Sequence, residues 1–488
     1  MQSTHPTLKK VSLALGIFVL TMLIQAVYSV SISPLYDFEG VDSAIYEYMG
    51  LNWYMGGMPY YDLFEGKGPL IFLINAAGWA ISDRGWGIYL LQCINYTLVV
   101  LLWIKIAELF ADKKKALLAV LTTGAIYLLM NEEGNLTEDW CMLPISYSMY
   151  LLARMVRDER VPKLWEFLLA GIGAGLVTMT RMNNMPITVL LGLYTAYYLV
   201  RQKQIGRLMA ITVVALAGWL IPVAAFAAYF YARMGWAGVD WLYYGTIGFN
   251  LDYARNHDAS LVPMLVKAGY WAAVALLLWL MRKQGMKQKR YMLLAALLFV
   301  LSYAVFGKSL YMHYFMIVLP ILVMVFALAY EAGEKSTWVL LAVLLIADVG
   351  VGANDMWQYL TSNGHYYARN YNEESDRLLS MIPKQDRDSV FNYYDEFLQT
   401  AALKRNRIMQ CNRAMGRMPL EVSQRMYDET HLQLEQQQPK WIVFSRTWFT
   451  PEDSLYVNQH YEQVGQTQYD LDREYLFCYD QVKLYKRK

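Results

Sequence analysis

Charged residues are scarce in this chain. Lys, Arg, Asp and Glu make up 17% of its 488 residues, whereas a soluble globular domain carries about a quarter. Because charge is what a bilayer rejects, this deficit and a hydrophobic fraction of 56% predict an α-helical polytopic membrane protein. The net charge of +2 is too small to indicate a nucleic-acid partner.

Cysteine is rare as well, and none of the four cysteines has the spacing of metal ligands. The chain contains no internal repeat and no low-complexity tract. Aromatic residues, by contrast, reach 15%, with 39 Tyr and 15 Trp. Aromatic belts at the two membrane interfaces would use many of these side chains.

A membrane span needs about 20 apolar residues, with a range of roughly 17 to 25. On this basis we predict about eleven spans, which lie at 11–31, 86–109, 115–131, 139–156, 164–180, 185–200, 208–232, 261–281, 291–307, 311–330 and 337–353.

The links between these spans alternate in charge, which sets the orientation. The basic links, at 113–115, 154–163 and 282–290 among others, are assigned to the cytoplasm by the positive-inside rule. The N-terminus is then cytoplasmic, and because no small-residue cleavage site is clear we favour a retained anchor over a signal peptide. Residues 69–82 are too short for a span, so we interpret them as an outer-face interfacial or re-entrant helix.

From about residue 354 the composition becomes polar, which divides the chain into a membrane domain, 1–353, and a small extracytoplasmic α/β domain, 354–488. Cys411 and Cys478 lie in the second domain, on the oxidising side, and could form a disulfide. Strands are predicted at 389–394, 440–445 and 474–485, and helices at 374–382 and 396–404.

Acidic and cationic side chains concentrate in the predicted outer loops. Cations can bind phosphate oxygens, and a carboxylate can remove a proton from a hydroxyl, so this inventory suits a lipid-linked phosphate beside a general base. The candidate acids are Asp42, Glu138 and Asp139; the candidate phosphate ligands are Lys67, Arg181, Lys308 and His313, with Tyr314 beside them.

Each of these residues also has a purely structural interpretation. Asp42 lies at or near the N-terminus of a predicted helix at 42–54 and would act as its cap. Glu138 and Asp139 would belong to a solvated loop, Arg181 would pair with an outer-loop acid, and a single histidine such as His313 is more often an interfacial residue than a ligand.

The layout resembles that of polyprenyl-phosphate-sugar-dependent glycosyltransferases with the type C membrane fold, above all the protein mannosyltransferase and aminoarabinose transferase branch. The likeness is carried by DSAIYEYMG at Asp42, by GGMPYYDLF and GKGPL with Lys67 and Pro69, by GNLTED, and by the His313–Tyr314 pair. Two departures stand out: Ser43 replaces the second acid of the family's pair, and Gly68 replaces the first proline after Lys67.

The resemblance implies a mechanism. A monosaccharide on an undecaprenyl-type phosphate would be transferred, with inversion, to a hydroxyl of a glycan, lipid or protein at the outer face of a bacterial-type inner membrane. Asp42 would act as the base, and Lys67 and Arg181 would stabilise the phosphate. Glu138 or Asp139 would orient the acceptor or share the base role. No metal or other cofactor is expected, because side-chain cations can stabilise the charge.

Three other functions compete with this one. An oligosaccharide ligase with a lipid-diphosphate donor should have more outer cations or a metal. A lipid or glycan transporter should place ionisable residues near the middle of its spans, where this sequence has few. A structural membrane protein with an outer adhesion domain would make the acidic first loop incidental.

The orientation can be tested in a cysteine-free background with an impermeant thiol reagent. A cysteine that replaces Lys287, in a predicted cytoplasmic link, should stay unlabelled in intact cells and react after the cells are opened. A cysteine that replaces the C-terminal-domain residue Gln436 should react in intact cells. Labelling of position 287 in intact cells would contradict the topology.

Overall fold

The computed structural model describes most of the chain, and the following account is limited to those residues. They are 6–35, 41–82, 85–131, 133–256, 312–333, 335–361, 373–393, 398–415, 418–445, 451–468 and 482–488.

Helices dominate the described residues up to position 361. They are α1 (Pro6–Tyr28), α2 (Val41–Tyr54), α3 (Pro69–Ile81), α4 (Trp86–Ala107), α5 (Lys113–Met130), α6 (Thr137–Asp158), α7 (Leu164–Arg181), α8 (Pro186–Arg201), α9 (Ile205–Met234), α10 (Trp236–Tyr243), α11 (Phe249–Asn256), α12 (Leu319–Glu331) and α13 (Lys335–Thr361). A 3-10 helix, Met312–Val318, leads into α12, and a π-helical turn, Tyr244–Gly248, joins α10 to α11.

The predicted spans correspond to these helices, except that those at 261–281 and 291–307 lie outside the described residues. By length and composition, four described helices are apolar enough to cross a membrane: Val11–Tyr28, Trp86–Ala107, Ile205–Met234 and His313–Glu331. Others fall short because they are brief, as α8 is, or because charged residues stand at both ends, as in α6.

By its contacts the chain divides into two compact units. The first comprises 1–29, 90–229 and 257–354, and the second comprises 30–89, 230–256 and 355–488. The contact boundary near Asn354 coincides with the predicted domain boundary, but the second unit also contains the first outer loop and α10–α11. The division into catalytic and extracytoplasmic domains stays a prediction.

The core of the first unit is formed by α4 to α8 and α12. In α12 every residue from Leu319 to Tyr330 is buried, and Tyr330 meets Thr122 of α5 through a 2.8 Å hydroxyl contact. In contrast, only 17% of the most apolar stretch of α9 is buried. Between Arg207 and Arg233 near its two ends, this exposed helix surface carries no charged residue, which suits lipid rather than water.

The C-terminal part of the second unit has a four-stranded sheet in the order β1-β2-β4-β3. Strands β1 and β2 are parallel, and the β2–β4 and β4–β3 pairs are antiparallel. The strands are β1 (Val390–Tyr393), β2 (Trp441–Ser445), β3 (Tyr461–Gln466) and β4 (Val482–Arg487), and the helices are 373–380, α14 (Leu398–Arg405), α15 (Met418–Val422), α16 (Gln424–Gln437) and α17 (Pro451–His460).

Three strands and two helices of this α/β region agree with the sequence prediction. The strand predicted at 474–485 begins later, since β4 starts at Val482 and residues before it lie outside the described part. Strand β3 was not predicted, because YEQVGQ has little of the apolar alternation of a half-buried strand. Cys411 is a free cysteine in the structure, while Cys478 lies outside the described residues, so the disulfide stays a prediction.

Candidate active site

The second unit contains Asp42 in the first turn of α2. The helix begins at Val41, so Asp42 is a helical residue and not the capping residue that precedes the helix. Its half-exposed carboxylate accepts a hydrogen bond of 3.2 Å from the Tyr46 hydroxyl, one turn further along. An acid in this position is stabilised by the positive end of the helix dipole.

Aromatic contacts connect Asp42 with Lys67 inside the same unit. The Tyr46 ring lies 6.4 Å from that of Phe72 on α3, and Phe72 lies 5.9 Å from the ring of Tyr60. The Tyr60 hydroxyl donates to the backbone carbonyl of Lys67 over 2.6 Å. Both sequence-predicted residues of the first outer loop are therefore held by one buried aromatic cluster, Tyr46–Phe72–Tyr60.

Tyr60 has an unusual backbone conformation for a bulky residue. Its φ is +67°, in the left-handed region, and its side chain is fully buried. Such a conformation costs free energy and persists only where the surrounding packing enforces it. Burial raises the pKa of the Tyr60 phenol, so the hydroxyl remains a hydrogen-bond donor to Lys67.

Lys67 is held by its own loop. Its ammonium group lies 3.1 Å from the carboxylate of Glu65, and the two side chains are 15% and 3% exposed. The intervening Gly66 packs so closely that an added Cβ would come within 2.1 Å of the Phe249 ring. Asn250 of α11 donates to the Gly66 carbonyl over 3.0 Å. Lys67 thus presents a partly exposed cation on a rigid turn just before α3.

A buried ion pair fixes α2 against the C-terminal α/β region. Lys404 of α14 lies 2.7 Å from Glu47, and the two side chains are 6% and 4% exposed. Ser43 donates to the same carboxylate over 3.1 Å, and the Trp79 indole of α3 donates to the Glu47 carbonyl. The sequence analysis did not find this pair, because its members are 357 residues apart in sequence.

Glu138 and Arg181 meet in the first unit. Glu138 is in the first turn of α6, Arg181 is the last residue of α7, and their side chains form a 2.7 Å ion pair. Glu138 is fully buried, whereas the Arg181 side chain is 14% exposed. The ion pair with an acid that was the structural alternative for Arg181 is therefore present in the structure.

Asp139 has a structural role at the start of α6. One carboxylate oxygen accepts the Leu136 N–H over 2.9 Å, and the other accepts the Tyr96 and Tyr127 hydroxyls over 2.5 and 3.4 Å. The residue is fully buried. Because these three donors already occupy both oxygens, Asp139 is poorly placed to accept a proton from a substrate.

His313 and Tyr314 lie in the 3-10 helix before α12, in the first unit. The Arg181 guanidinium stacks 4.0 Å above the Tyr314 ring, and that ring is perpendicular to the buried His313 ring. Lys308 lies outside the described residues. Within the described part of the chain, no group of three or more histidine, cysteine or acidic side chains could hold a metal ion, and the metal requirement stays a prediction.

Residues 66–231 match the family model described as dolichyl-phosphate-mannose-protein mannosyltransferase. The structure is also similar to ArnT from Cupriavidus metallidurans. Against the apo state the TM-score is 0.58, with 11% identity over 99% of this chain and 98% of that one. Against the form bound to undecaprenyl phosphate it is 0.56, with 12% identity over 96% and 97%. A search of curated proteins found no match.

These findings confirm the resemblance predicted from the sequence. The two ArnT structures confirm the fold class, since they align over nearly the whole of both chains. The family match supports the predicted class of enzyme, a glycosyltransferase, and it begins at Gly66, next to Lys67. It also includes Glu138, Asp139 and Arg181.

The Glu47–Lys404 pair can be tested by thermal unfolding of the purified full-length protein. Lys404→Met removes the cationic partner of the buried Glu47 carboxylate. Because an unpaired buried charge is costly, the variant should be destabilised by about 3–5 kcal/mol. The double variant Glu47→Gln/Lys404→Met should recover much of that loss, because no buried charge remains at the pair.

Lys440→Met is the matched control, since Lys440 is 60% exposed and pairs with Asp386 at the surface. Exposed ion pairs contribute little, so this variant should unfold like the wild type. Equal unfolding temperatures for the Lys404→Met and Lys440→Met variants would show that the buried pair does not hold α2 in place.

Proposed function

We propose that this protein transfers a monosaccharide from a polyprenyl-phosphate donor to an acceptor hydroxyl at the outer face of the membrane. The observation that carries the proposal is the aromatic cluster Tyr46–Phe72–Tyr60, which holds Asp42 at one end and Lys67 at the other. A partly exposed carboxylate and a partly exposed cation on one rigid scaffold are the groups that such a transfer requires.

The reaction is a single displacement at the anomeric carbon. Asp42 removes the proton of the acceptor hydroxyl, and the acceptor oxygen forms a bond to the anomeric carbon. The bond from that carbon to the phosphate oxygen breaks, and the lipid phosphate leaves with the electron pair. Attack opposite the leaving group inverts the configuration. Lys67 stabilises the departing phosphate, so the scheme needs no metal.

The nature of the donor is supported by the comparisons. The matching family is named for dolichyl-phosphate-mannose, and one similar structure holds undecaprenyl phosphate. Both compounds are polyprenyl phosphates, which favours a lipid-phosphate donor over a lipid diphosphate. The acceptor is a glycan, lipid or protein that reaches the outer surface of the membrane.

The first-unit residues have supporting roles in this proposal. Arg181 remains a phosphate ligand proposed from the sequence, and within the first unit Glu138 and the Tyr314 ring fix its orientation. Asp139 holds the start of α6 in place through its three hydrogen bonds. His313 packs beside Tyr314, and Lys308 remains a proposed phosphate ligand from the sequence alone.

Replacing Lys67 tests phosphate binding, provided that Glu65 is neutralised as well. Lys67→Met alone would take the ion pair away from a buried carboxylate and destabilise the loop. The double variant Glu65→Gln/Lys67→Met should fold but bind undecaprenyl phosphate about 10- to 100-fold more weakly, since a charged hydrogen bond is lost. Native mass spectrometry or thermophoresis measures the binding.

Glu65→Gln alone is the control variant. It breaks the ion pair but keeps the lysine charge, so it shows how loss of the pair by itself changes lipid-phosphate binding. The double variant should bind the lipid phosphate more weakly than this single variant. If both bind it equally well, Lys67 is a loop residue without a role in phosphate binding.

Asp42→Asn tests the catalytic base. Asparagine keeps an oxygen that can accept from Tyr46, and the loss of the charge at the helix dipole costs about 0.3–1 kcal/mol, so the variant should fold normally. It cannot accept the acceptor proton, and transfer should fall by about 10²- to 10⁴-fold.

The control is Asp240→Asn on α10, which changes a 62%-exposed acid of the same unit and should retain activity. Wild-type turnover by the Asp42→Asn variant would reduce Asp42 to a helix-stabilising residue.

A further inference from the structure

A cavity of about 310 Å³ lies inside the second unit. One wall is formed by Asn52 of α2 and by Tyr61 and Asp62 of the segment that follows it. The C-terminal α/β region forms the other wall with Asp388, Arg413 and Gln437. Its volume is at the lower end of the range for small-molecule sites, about 300–1,000 Å³. Tyr61 and Asp62 belong to the GGMPYYDLF segment, but the transfer scheme above gives the cavity no role.

The lining has the functional groups that recognise sugars. The Tyr61 ring is 45% exposed, and the Arg413 guanidinium lies 5.1 Å from its centroid. An exposed aromatic face can pack against the C–H face of a sugar ring. Carboxylates can accept from its hydroxyls, and amides and guanidinium groups can donate to them.

Several of these groups have little else to bond within the described residues. The Asn52 side chain is mostly buried, and its hydrogen-bond partner there is the Met409 sulfur, at 3.8 Å. Asp388 is exposed, and among the described residues it attracts the Lys440 ammonium group by charge rather than through a hydrogen bond. Arg413 is already oriented, because its Nε donates to the Tyr61 carbonyl over 2.7 Å and its guanidinium pairs with Glu429.

The charge of the lining narrows the ligand class. Asp62 and Asp388 contribute two negative charges against the single positive charge of Arg413. An anionic sugar would meet net repulsion, whereas an uncharged sugar residue can bond to both kinds of group. We propose that this cavity binds an uncharged sugar residue of the acceptor, a role that rests on the transferase function proposed above.

The position of the cavity agrees with an acceptor role. Asn52 and Asp42 belong to the same helix, and ten residues separate them, which is about 15 Å along the helix axis. An acceptor that places one sugar residue in the cavity and a reacting hydroxyl at Asp42 is therefore a chain of several sugar residues rather than a free monosaccharide.

Binding is tested on the full-length protein by saturation-transfer NMR. The probes are the methyl glycosides of glucose, galactose, mannose and N-acetylglucosamine, with methyl glucuronide as the charged comparison. At least one neutral glycoside should bind, and Asp388→Ala or Gln437→Ala should each weaken its binding by about fivefold, the effect of one hydrogen bond. Gln436→Ala, which alters an exposed neighbour outside the cavity, is the matched control and should bind normally.

Three outcomes of this experiment would overturn the sugar-binding proposal. They are that no neutral glycoside binds, that the glucuronide binds more tightly than all the neutral probes, or that the cavity variants bind like the Gln436→Ala control.

Transfer kinetics then separate the cavity from the catalytic proposal. Asp388→Ala should raise the KM for a glycan acceptor with kcat kept, whereas Asp42→Asn should lower kcat and still bind the glycoside. A normal acceptor KM in the Asp388→Ala variant would overturn the acceptor role alone. Full activity of the Asp42→Asn variant, with glycoside binding still dependent on Asp388, would overturn the proposed base and leave the sugar site standing.

Discussion

The buried pair of Glu47 and Lys404 is the interaction on which the second unit depends. Two charges that are each about 95% removed from water are costly, and their attraction offsets that cost only in good geometry. The 2.7 Å distance and the additional Ser43 hydrogen bond provide that geometry. A buried pair of this kind contributes little net stability, but it strongly disfavours any other register of α2 against α14.

The arrangement of the first outer loop follows from that register. On α2, Tyr46 directly precedes Glu47 and Tyr48 follows it. The Tyr48 hydroxyl donates to the Ile408 carbonyl and accepts from the Gln410 N–H, which continues the attachment to the C-terminal α/β region. With α2 fixed in this way, Tyr46 can pack on Phe72, and the aromatic cluster can carry the constraint on to Lys67.

The described helices and the residue types of the candidate site could be predicted from the sequence. The contacts between residues that are far apart in the sequence could not. Apolar runs and charged links report local properties, so they revealed the spans, the short helix at Asp42 and the turn at Lys67. The Glu47–Lys404 pair and the Asp139–Tyr96 hydrogen bond join distant parts of the chain, and a single sequence contains no signal for such contacts. The sequence also gives no sign that Asp348, in the predicted span of α13, is buried. Its carboxylate has no hydrogen-bond partner among the described residues.

The three candidate acids illustrate why residue type alone does not assign a role. Asp42, Glu138 and Asp139 each stand in the first turn of a helix, where the dipole favours a negative charge. Their surroundings differ: Asp139 is saturated by three donors, Glu138 is buried against Arg181, and Asp42 is partly exposed. A general base must reach its substrate, so side-chain exposure, which only the folded chain reveals, favours Asp42 over the two buried acids.

Lys67 and Arg181, two of the proposed phosphate ligands, have similar surroundings, each within its own unit. Lys67 and Arg181 each contact a buried glutamate, and each keeps part of its side chain exposed. The acid holds the cation in one orientation before a donor arrives, so little side-chain entropy is lost when the phosphate binds. The glutamate also lowers the net charge of its pair, so the cation attracts the singly charged phosphate of the bound donor less strongly. In the proposed reaction the phosphate gains negative charge as it leaves, so the attraction is stronger in the transition state than in the donor complex. An interaction that is stronger in the transition state accelerates a reaction.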